Sequence, residues 1–408
     1  MSPQLIAHSS DLTRLRNEGY SIRIVAGYLV VDDVPFVDDE GAVHRDGVLI
    51  IALTTAGNTT VQPSDHTAWF GGGVPCSQGG DALSHIINNT RAHDFGHGLI
   101  ATCYLSAKPR TNRGRYNDHH HKVSTYVGHI AGPAQAIDAE VTARVHRPIT
   151  TTEDQAGPFR YVDTASSRAG IEALNEAVSA ERVGIVGLGG TGQYLLDAVA
   201  KAPVAEIHVF DADDFLTHNA FRSPGAPTVD ELAARPLKVN HFGDVYDRLH
   251  RNIHRHPTYI TADNVAALGE LTFVFVAIDD PEAKEPIVEF LIDREISFID
   301  VGMGLEVVDE RITGTLRATL VTPARSHHAG DRIGTTSVGR EDDAYRSNIQ
   351  IVELNMLNAA MAVMAWKRYR SFYADWDGPH HSLFSIASNR IANDEWRDEG
   401  EDPAGEES

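Results

Sequence analysis

Residues 182–222 read RVGIVGLGGTGQYLLDAVAKAPVAEIHVFDADDFLTHNAFR. Gly187, Gly189, Gly190 and Gly192 follow a β-branched apolar run and precede an amphipathic one. Glycines so placed let a backbone turn approach phosphate oxygens, and the N terminus of the following helix adds unpaired N–H groups and a favourable dipole. Asp211 ends the second apolar run, where a carboxylate can accept hydrogen bonds from ribose hydroxyls. To this point a nicotinamide dinucleotide and ATP fit equally well.

The next polar residues separate them. Asp211, Asp213, Asn219 and Arg222 form a D-x-D-x5-N-x-x-R series, Lys238 follows in RPLKVN, and Asp279 ends a third apolar run in VAIDD. Hydride transfer has no task for Asn, Arg, Lys and a second Asp converging on phosphate. Nucleotidyl transfer does. When a carboxylate attacks the α-phosphate, negative charge develops on departing pyrophosphate. Arg and Lys neutralise that charge, Asn orients the group, and Asp holds Mg2+.

The elements that must carry these residues begin near Phe159. VGIVGL, EIHVFDA, TFVFVAI and ISFIDVG read as buried parallel strands with amphipathic segments between them. RITGTLRATLVTP is expected to extend the sheet antiparallel, and NIQIVELNMLNAAMAVMAWKRYRSFY to form one long helix whose apolar residues enter the core. The fold class is α/β: a Rossmann-like, doubly wound, mostly parallel sheet that binds ligand at the carboxyl ends of its strands. A smaller α+β domain precedes it, with a helix over SSDLTRLRNEG, β-rich runs over YSIRIVAGYLVVDDVPFV and GVLIIALTT, and a helix over STYVGHIAGPAQAIDAEVTARV. The Thr-rich segment RPITTTEDQAGP reads as the linker. The expected domains are 1–150 and 159–390, followed by an acidic disordered tail over 391–408.

Composition narrows the class. A chain of 408 residues is long for one domain. Its formal net charge of -22 opposes nonspecific nucleic-acid binding. No apolar run is long enough to span a bilayer, and the first residues lack the order of a signal peptide. The two cysteines, Cys76 and Cys103, exclude a disulfide scaffold and a four-cysteine zinc site, and suit a reducing cytoplasm.

Together GLGGTG, FDADDFLTHNAFR, LKV and the strand-ending Asp279 resemble the ThiF/MoeB adenylyltransferases, the family that includes the catalytic half of ubiquitin-activating enzymes. The resemblance spans about residues 159–375. It implies ATP and Mg2+, and a ubiquitin-like protein with a C-terminal glycine as the partner whose carboxylate is adenylated. A conjugating enzyme is a further candidate partner. It implies Asp213 near the phosphates and metal, Asn219, Arg222 and Lys238 on phosphates, and Mg2+ at Asp279. It also implies a homodimer in which an arginine ahead of the glycine turn reaches across, with Arg168 the first candidate and Arg160 the second. The sequence departs from the family in lacking paired C-x-x-C motifs, in placing Asp280 where Asn is common, and in having no cysteine in the catalytic half. That half is therefore equipped for an acyl-adenylate but not for a thioester of its own. The alternatives are an NAD(P)-dependent oxidoreductase, which leaves Asn219, Arg222 and Lys238 without a task, and a nucleotide-binding scaffold without catalysis, which an intact polar set opposes.

Cys76 lies in the glycine-rich HTAWFGGGVPCSQGG, downstream of His66. The order helix, β-meander, His, loop cysteine is similar to that of ubiquitin-conjugating enzymes, but His66-Thr67-Ala68 lacks their Pro-Asn. Two readings stay open: an acceptor thiol for the activated chain, and a small residue in a loop. Cys103 in LIATCYLS reads as a buried strand residue. DHHHKV (Asp118, His119, His120, His121) reads as a solvated polar run in preference to a metal site, and Lys108, Arg110, Arg113 and Arg115 as a solvated basic loop.

Overall fold

The computed structural model describes residues 2–110, 112–148, 157–334 and 349–394. The chain divides into two compact units, one of Met1–Thr150 with Val162–Gly170, the other of Thr151–Tyr161 with Ile171–Ser408. Residues 149–156 of the expected linker and 395–408 of the expected tail lie outside the described residues. No helix among the described residues is long and apolar enough to cross a membrane.

In the first unit, strands β1 (Ser21–Val25), β2 (Tyr28–Val37), β3 (Val43–Ala52), β4 (Thr67–Gly71), β5 (Ile87–Asn89) and β6 (Cys103–Ser106) form an antiparallel sheet in the order β1-β2-β3-β4-β6-β5. Helices α1 (Ser10–Asn17) and α2 (His119–Ile137) cover one face, where Leu12, Leu15, Leu29, Val31, Leu49, Ile51, Tyr126 and Ile130 share a core. The alternate residues Val30 and Ile50 are buried on the other face against Leu99 and Ala101. Both faces are covered, which is why YLVVDDVPFV lacks simple polar alternation.

Helix α2 departs from the sequence reading. It starts at the histidines, because Asp118 caps it by accepting the His121 N–H at 2.7 Å. Nor is the histidine run solvated. His119 is fully buried, with its Nδ1 3.1 Å from Asp11 Oδ2, and His120 Nε2 lies 3.0 Å from Glu18 Oε1. Lys122 is also buried, its Nζ 2.9 Å from Asp65 Oδ1. Buried polar groups need such partners, and these tie α2 to α1 and to the residues before β4.

In the second unit, β7 (Arg182–Val186), β8 (Glu206–Phe210), β9 (Ile253–His256), β10 (Phe273–Val276), β11 (Ser297–Val308), β12 (Arg311–Val321), β13 (His381–Ser385) and β14 (Arg390–Asn393) form one sheet, ordered β9-β8-β7-β10-β11-β12-β13-β14. The first five strands are parallel, and β12, β13 and β14 continue antiparallel. Helices α3 (Gly190–Val199), α4 (Lys238–Tyr246) and α6 (Val352–Tyr369) pack on one face, joining Leu195, Phe242 and Trp366 to Ile185, Val209 and Phe275. Helix α5 (Pro281–Asp293) covers the other, where Ile287 and Leu291 meet Val274, Val276 and Phe298. The fold is thus the expected doubly wound sheet. Three strands were not foreseen: β9, whose sequence IHRH carries almost no apolar signal, the short β13, and β14, which takes up the start of the expected tail. The chain runs outward from β7 to β8 and β9, then returns to β10 on the other side. The carboxyl ends of β7 and β10 therefore flank the topological switch point, where ligands bind in open α/β sheets.

Candidate functional site

The glycine turn follows β7. Gly187 sits at φ +92°, a left-handed conformation, and donates its N–H to Phe210 O at 2.8 Å. Gly192 must be small, because a Cβ there would lie 1.9 Å from Gly187 O. Helix α3 begins after Gly189 with no side chain capping its first N–H groups, which leaves them available to an anion. The turn borders a cleft whose other walls are Asp279 beyond β10, Val301 and Gly302 of β11, and Gln350, Asn355 and Asn358.

Asp211 secures the turn from β8. Its Oδ2 accepts the Leu188 N–H at 2.7 Å, and its Oδ1 accepts the Asp213 N–H at 2.8 Å. Burial raises its pKa above the ordinary value, against the opposing pull of Lys238 and the two N–H donors. Lys238, the first residue of α4 and itself buried, places Nζ 2.5 Å from Asp213 Oδ2 and 3.6 Å from Asp211 Oδ2. The Tyr259 hydroxyl donates to the other Asp213 oxygen. Burial acts to raise the Asp213 pKa, but the hydrogen bonds from Lys238 and Tyr259 outweigh it and hold the carboxyl below its usual range.

Asn219 is buried, and its Oδ1 accepts the Leu216 N–H at 2.9 Å, so its oxygen shapes the turn that presents Arg222. The Arg222 Nε is buried and has no hydrogen-bond partner among the described residues. Burial lowers the pKa of this guanidinium, and the Asp279 carboxylate works in the opposite direction. Asp279 lies three residues beyond the end of β10 and is exposed, 3.4 Å from Gln350 Nε2. Asp280 caps α5 by accepting the Glu282 N–H at 3.0 Å. That structural task explains an acidic residue at this place.

Sequence reasoning missed two asparagines. The apolar residues of α6 do enter the core, but Asn355 and Asn358, both buried, line the cleft. Asn355 Oδ1 accepts the Thr191 hydroxyl at 3.2 Å, and Asn358 Nδ2 donates to Gly302 O at 3.1 Å. Asn355 Nδ2 and Asn358 Oδ1 have no partner among the described residues. One donor and one acceptor thus remain, the complement of a peptide unit. Asp300 of β11 was missed as well. It is fully buried between Lys284 Nζ at 2.7 Å and Arg317 Nη2 at 2.5 Å, an ion cluster that anchors the strand whose next residues line the cleft.

The remaining candidates are engaged elsewhere. Arg168 lies on the short helix Thr164–Ala169, within the first unit, and its Nη2 donates to Asn17 O at 2.9 Å. Arg160 pairs with Asp247 at 2.9 Å. Cys76 is 2% exposed, its N–H donates to Val37 O at 2.8 Å, and its Sγ lies 3.3 Å from Val74 O. Burial, with Asp39, Asp38 and Asp81 nearby, pushes this thiol up from its ordinary pKa. These surroundings disfavour the thiolate that an acceptor needs. Cys103 is fully buried on β6, and burial pushes its thiol to about 11. Lys108, Arg110, Arg113 and Arg115 are exposed.

Residues 10–164 match a family described as a domain of unknown function, DUF6791, and residues 165–327 match the ThiF family. No curated protein matches the chain. Among solved structures, PaaA is 16% identical over 55% of this chain and 75% of its own, with a TM-score of 0.45. E. coli MccB with ATP is 14% identical over 54% of this chain and 65% of its own, with a TM-score of 0.44. E. coli MccB with AMPCPP and MccA is 13% identical over 56% of this chain and 70% of its own, with a TM-score of 0.45. The chain therefore consists of a ThiF-family domain preceded by a distinct N-terminal domain of unknown function.

Proposed function

We propose that the second unit joins the C-terminal carboxylate of a small protein or peptide to AMP, consuming ATP and releasing pyrophosphate. The observation that carries this reading is the Arg222 Nε, a buried cationic donor without a hydrogen-bond partner among the described residues, whose nearby charge is an exposed carboxylate, Asp279. A buried guanidinium N–H left unpaired is costly, and an anionic ligand removes the cost.

The other residues fit the same ligand. Phosphates suit the uncapped start of α3, where a Cβ at Gly189 would meet nothing within 4 Å. Each Asp211 oxygen accepts one backbone N–H and retains a lone pair for a ribose hydroxyl. Asp279 would hold Mg2+, whose charge neutralises phosphate oxygens. Lys238 reaches phosphate by exchanging its bond from Asp213 to the ligand. Arg222 and Lys238 then face the charge that develops on the leaving group. Asn355 Nδ2 and Asn358 Oδ1 would take the last peptide unit of the incoming chain and so orient its carboxylate. The substrate we infer is a ubiquitin-like protein ending in glycine. The enzyme is taken to be a homodimer, with Arg168 the first candidate to reach the partner's site. The reading assigns no transfer step to Cys76.

The test is pyrophosphate release from Mg-ATP with a ubiquitin-fold protein ending in Gly-Gly, beside the same protein with its last glycine amidated. Release with the free carboxylate alone supports the reading. Release that ignores amidation, or an adduct elsewhere on the partner, overturns it.

A further inference from the structure

A second group of chemistry-bearing side chains lies at the edge of the large sheet, and nucleotide binding makes no use of it. Glu206 and His208 stand two residues apart on β8 and so share a face of the pleat. The parallel register sets His208 beside His254 of β9, and their rings stack with centroids 4.5 Å apart. One ligand atom from each of Glu206, His208 and His254 lies within 4.8 Å of the others, the one His/Cys/Asp/Glu group of this kind among the described residues. Glu206 opens β8 and Asp211 follows its far end, so the group lies roughly 10–16 Å from Asp211 along the strand, toward the amino ends.

We propose that Glu206, His208 and His254 bind one divalent transition-metal ion, with zinc as the best match to two imidazoles and a carboxylate. His208 Nε2 already lies 3.1 Å from Glu206 Oε2, close to the spacing of two ligands on a tetrahedral ion. His208 Nδ1 lies 3.1 Å from His256 Nε2, and the His256 ring is held by stacking on Phe210 at 4.3 Å. His256 is thus a positioning residue, the hydrogen-bonded partner that metal-ligating histidines commonly have. His254 is exposed, which leaves the fourth position to solvent.

The protons balance without net release. With no ion, His208 Nε2–H donates to Glu206 and Nδ1 accepts from His256. With the ion bound, the His208 proton sits on Nδ1 and is donated to His256 Nε2, whose own proton moves to its Nδ1, so the His208 Nε2 lone pair faces the metal. Arg182 Nε lies 2.9 Å from Glu206 Oε2, but its Nη2 is shared with the exposed Glu270 at 3.2 Å. Glu206 can therefore turn to the ion without leaving Arg182 unpaired. The bound ion would clamp β9, a four-residue edge strand, to β8.

The test uses the full chain, stripped with chelator, dialysed and titrated with zinc chloride by calorimetry. Metal content is measured after gel filtration, and cobalt(II) serves as a visible-absorption probe. The expected result is about one zinc per chain and a cobalt spectrum of tetrahedral type. Both should be lost in His254→Gln, a change at an exposed residue that leaves the fold intact. His256→Ala should weaken binding about 10–100-fold. Failure of the parent chain to take up zinc overturns the proposal, as does unchanged uptake by His254→Gln.

Discussion

Lys238 Nζ stands 2.5 Å from Asp213 Oδ2, an ion pair formed by the first residue of α4 just beyond the end of β8. The phosphate-binding lysine of this account is thus held ready on a half-exposed carboxylate and is also 3.6 Å from the buried Asp211. Lys238→Met removes the cation from both acids. ATP-dependent pyrophosphate release should fall about 100-fold or more. Thermal stability should drop by an amount on the order of 2–3 kcal/mol, because Asp211 stays buried without its counter-charge. Stopped assays and melting curves on the same preparation check both.

The glycine turn allows folding and binding to be separated. At Gly189 a Cβ meets nothing within 4 Å, whereas at Gly192 it would lie 1.9 Å from Gly187 O. Gly189→Ala should therefore keep the parental melting temperature while weakening ATP at least tenfold, since the methyl enters the space given to phosphate. Gly192→Ala should lower the melting temperature itself. Differential scanning calorimetry with and without Mg-ATP distinguishes the two.

Arg222→Lys keeps the charge but removes the buried Nε donor. If that donor meets the leaving group, kcat should fall about 100-fold with a smaller change in the ATP KM. A KM effect alone would place the guanidinium on the ground state only.

Acid should weaken the second unit through His250. This fully buried ring lies 3.0 Å from Val204 O through Nε2 and accepts the Asn252 N–H on Nδ1 at 3.2 Å, which fixes it as neutral. Burial pushes its pKa down to about 4 from an ordinary 6.5. The folded state thus binds fewer protons than the unfolded state between these values. Its stability is intact above pH ~6.5 and declines as pH falls toward ~4, by an amount on the order of 3 kcal/mol. His250→Gln should flatten that part of the profile when melting temperature is followed from pH 7.5 to 4.5.

The parts of the site that sit on regular sequence patterns were legible in advance. Gly187 to Gly192 after VGIV, and Asp211 after EIHVF, are read from apolar runs and the residues that end them. The strand β9 was not, because an edge strand can carry His-Arg-His on its pleat, and a period-two apolar test finds nothing there. Asn355 and Asn358 were hidden for another reason. On an Ala-rich helix, an Asn that meets Thr191 across the fold looks the same as one that meets solvent. His119 and Lys122 look solvated in the sequence because polarity alone does not reveal their partners, Asp11 and Asp65, which lie 108 and 57 residues away.

The most direct measurement follows thermal unfolding of the full chain with Mg-ATP, ATP plus EDTA, NADH and NADPH, in the parent and in Asp279→Ala. A ligand that binds only the folded state raises its stability by about 2.7 kcal/mol at 100 times its Kd. The account predicts a shift with ATP that grows with Mg2+, loss of the Mg2+ increment in Asp279→Ala, and no shift with either nicotinamide. A shift with NADH or NADPH and none with ATP would contradict it.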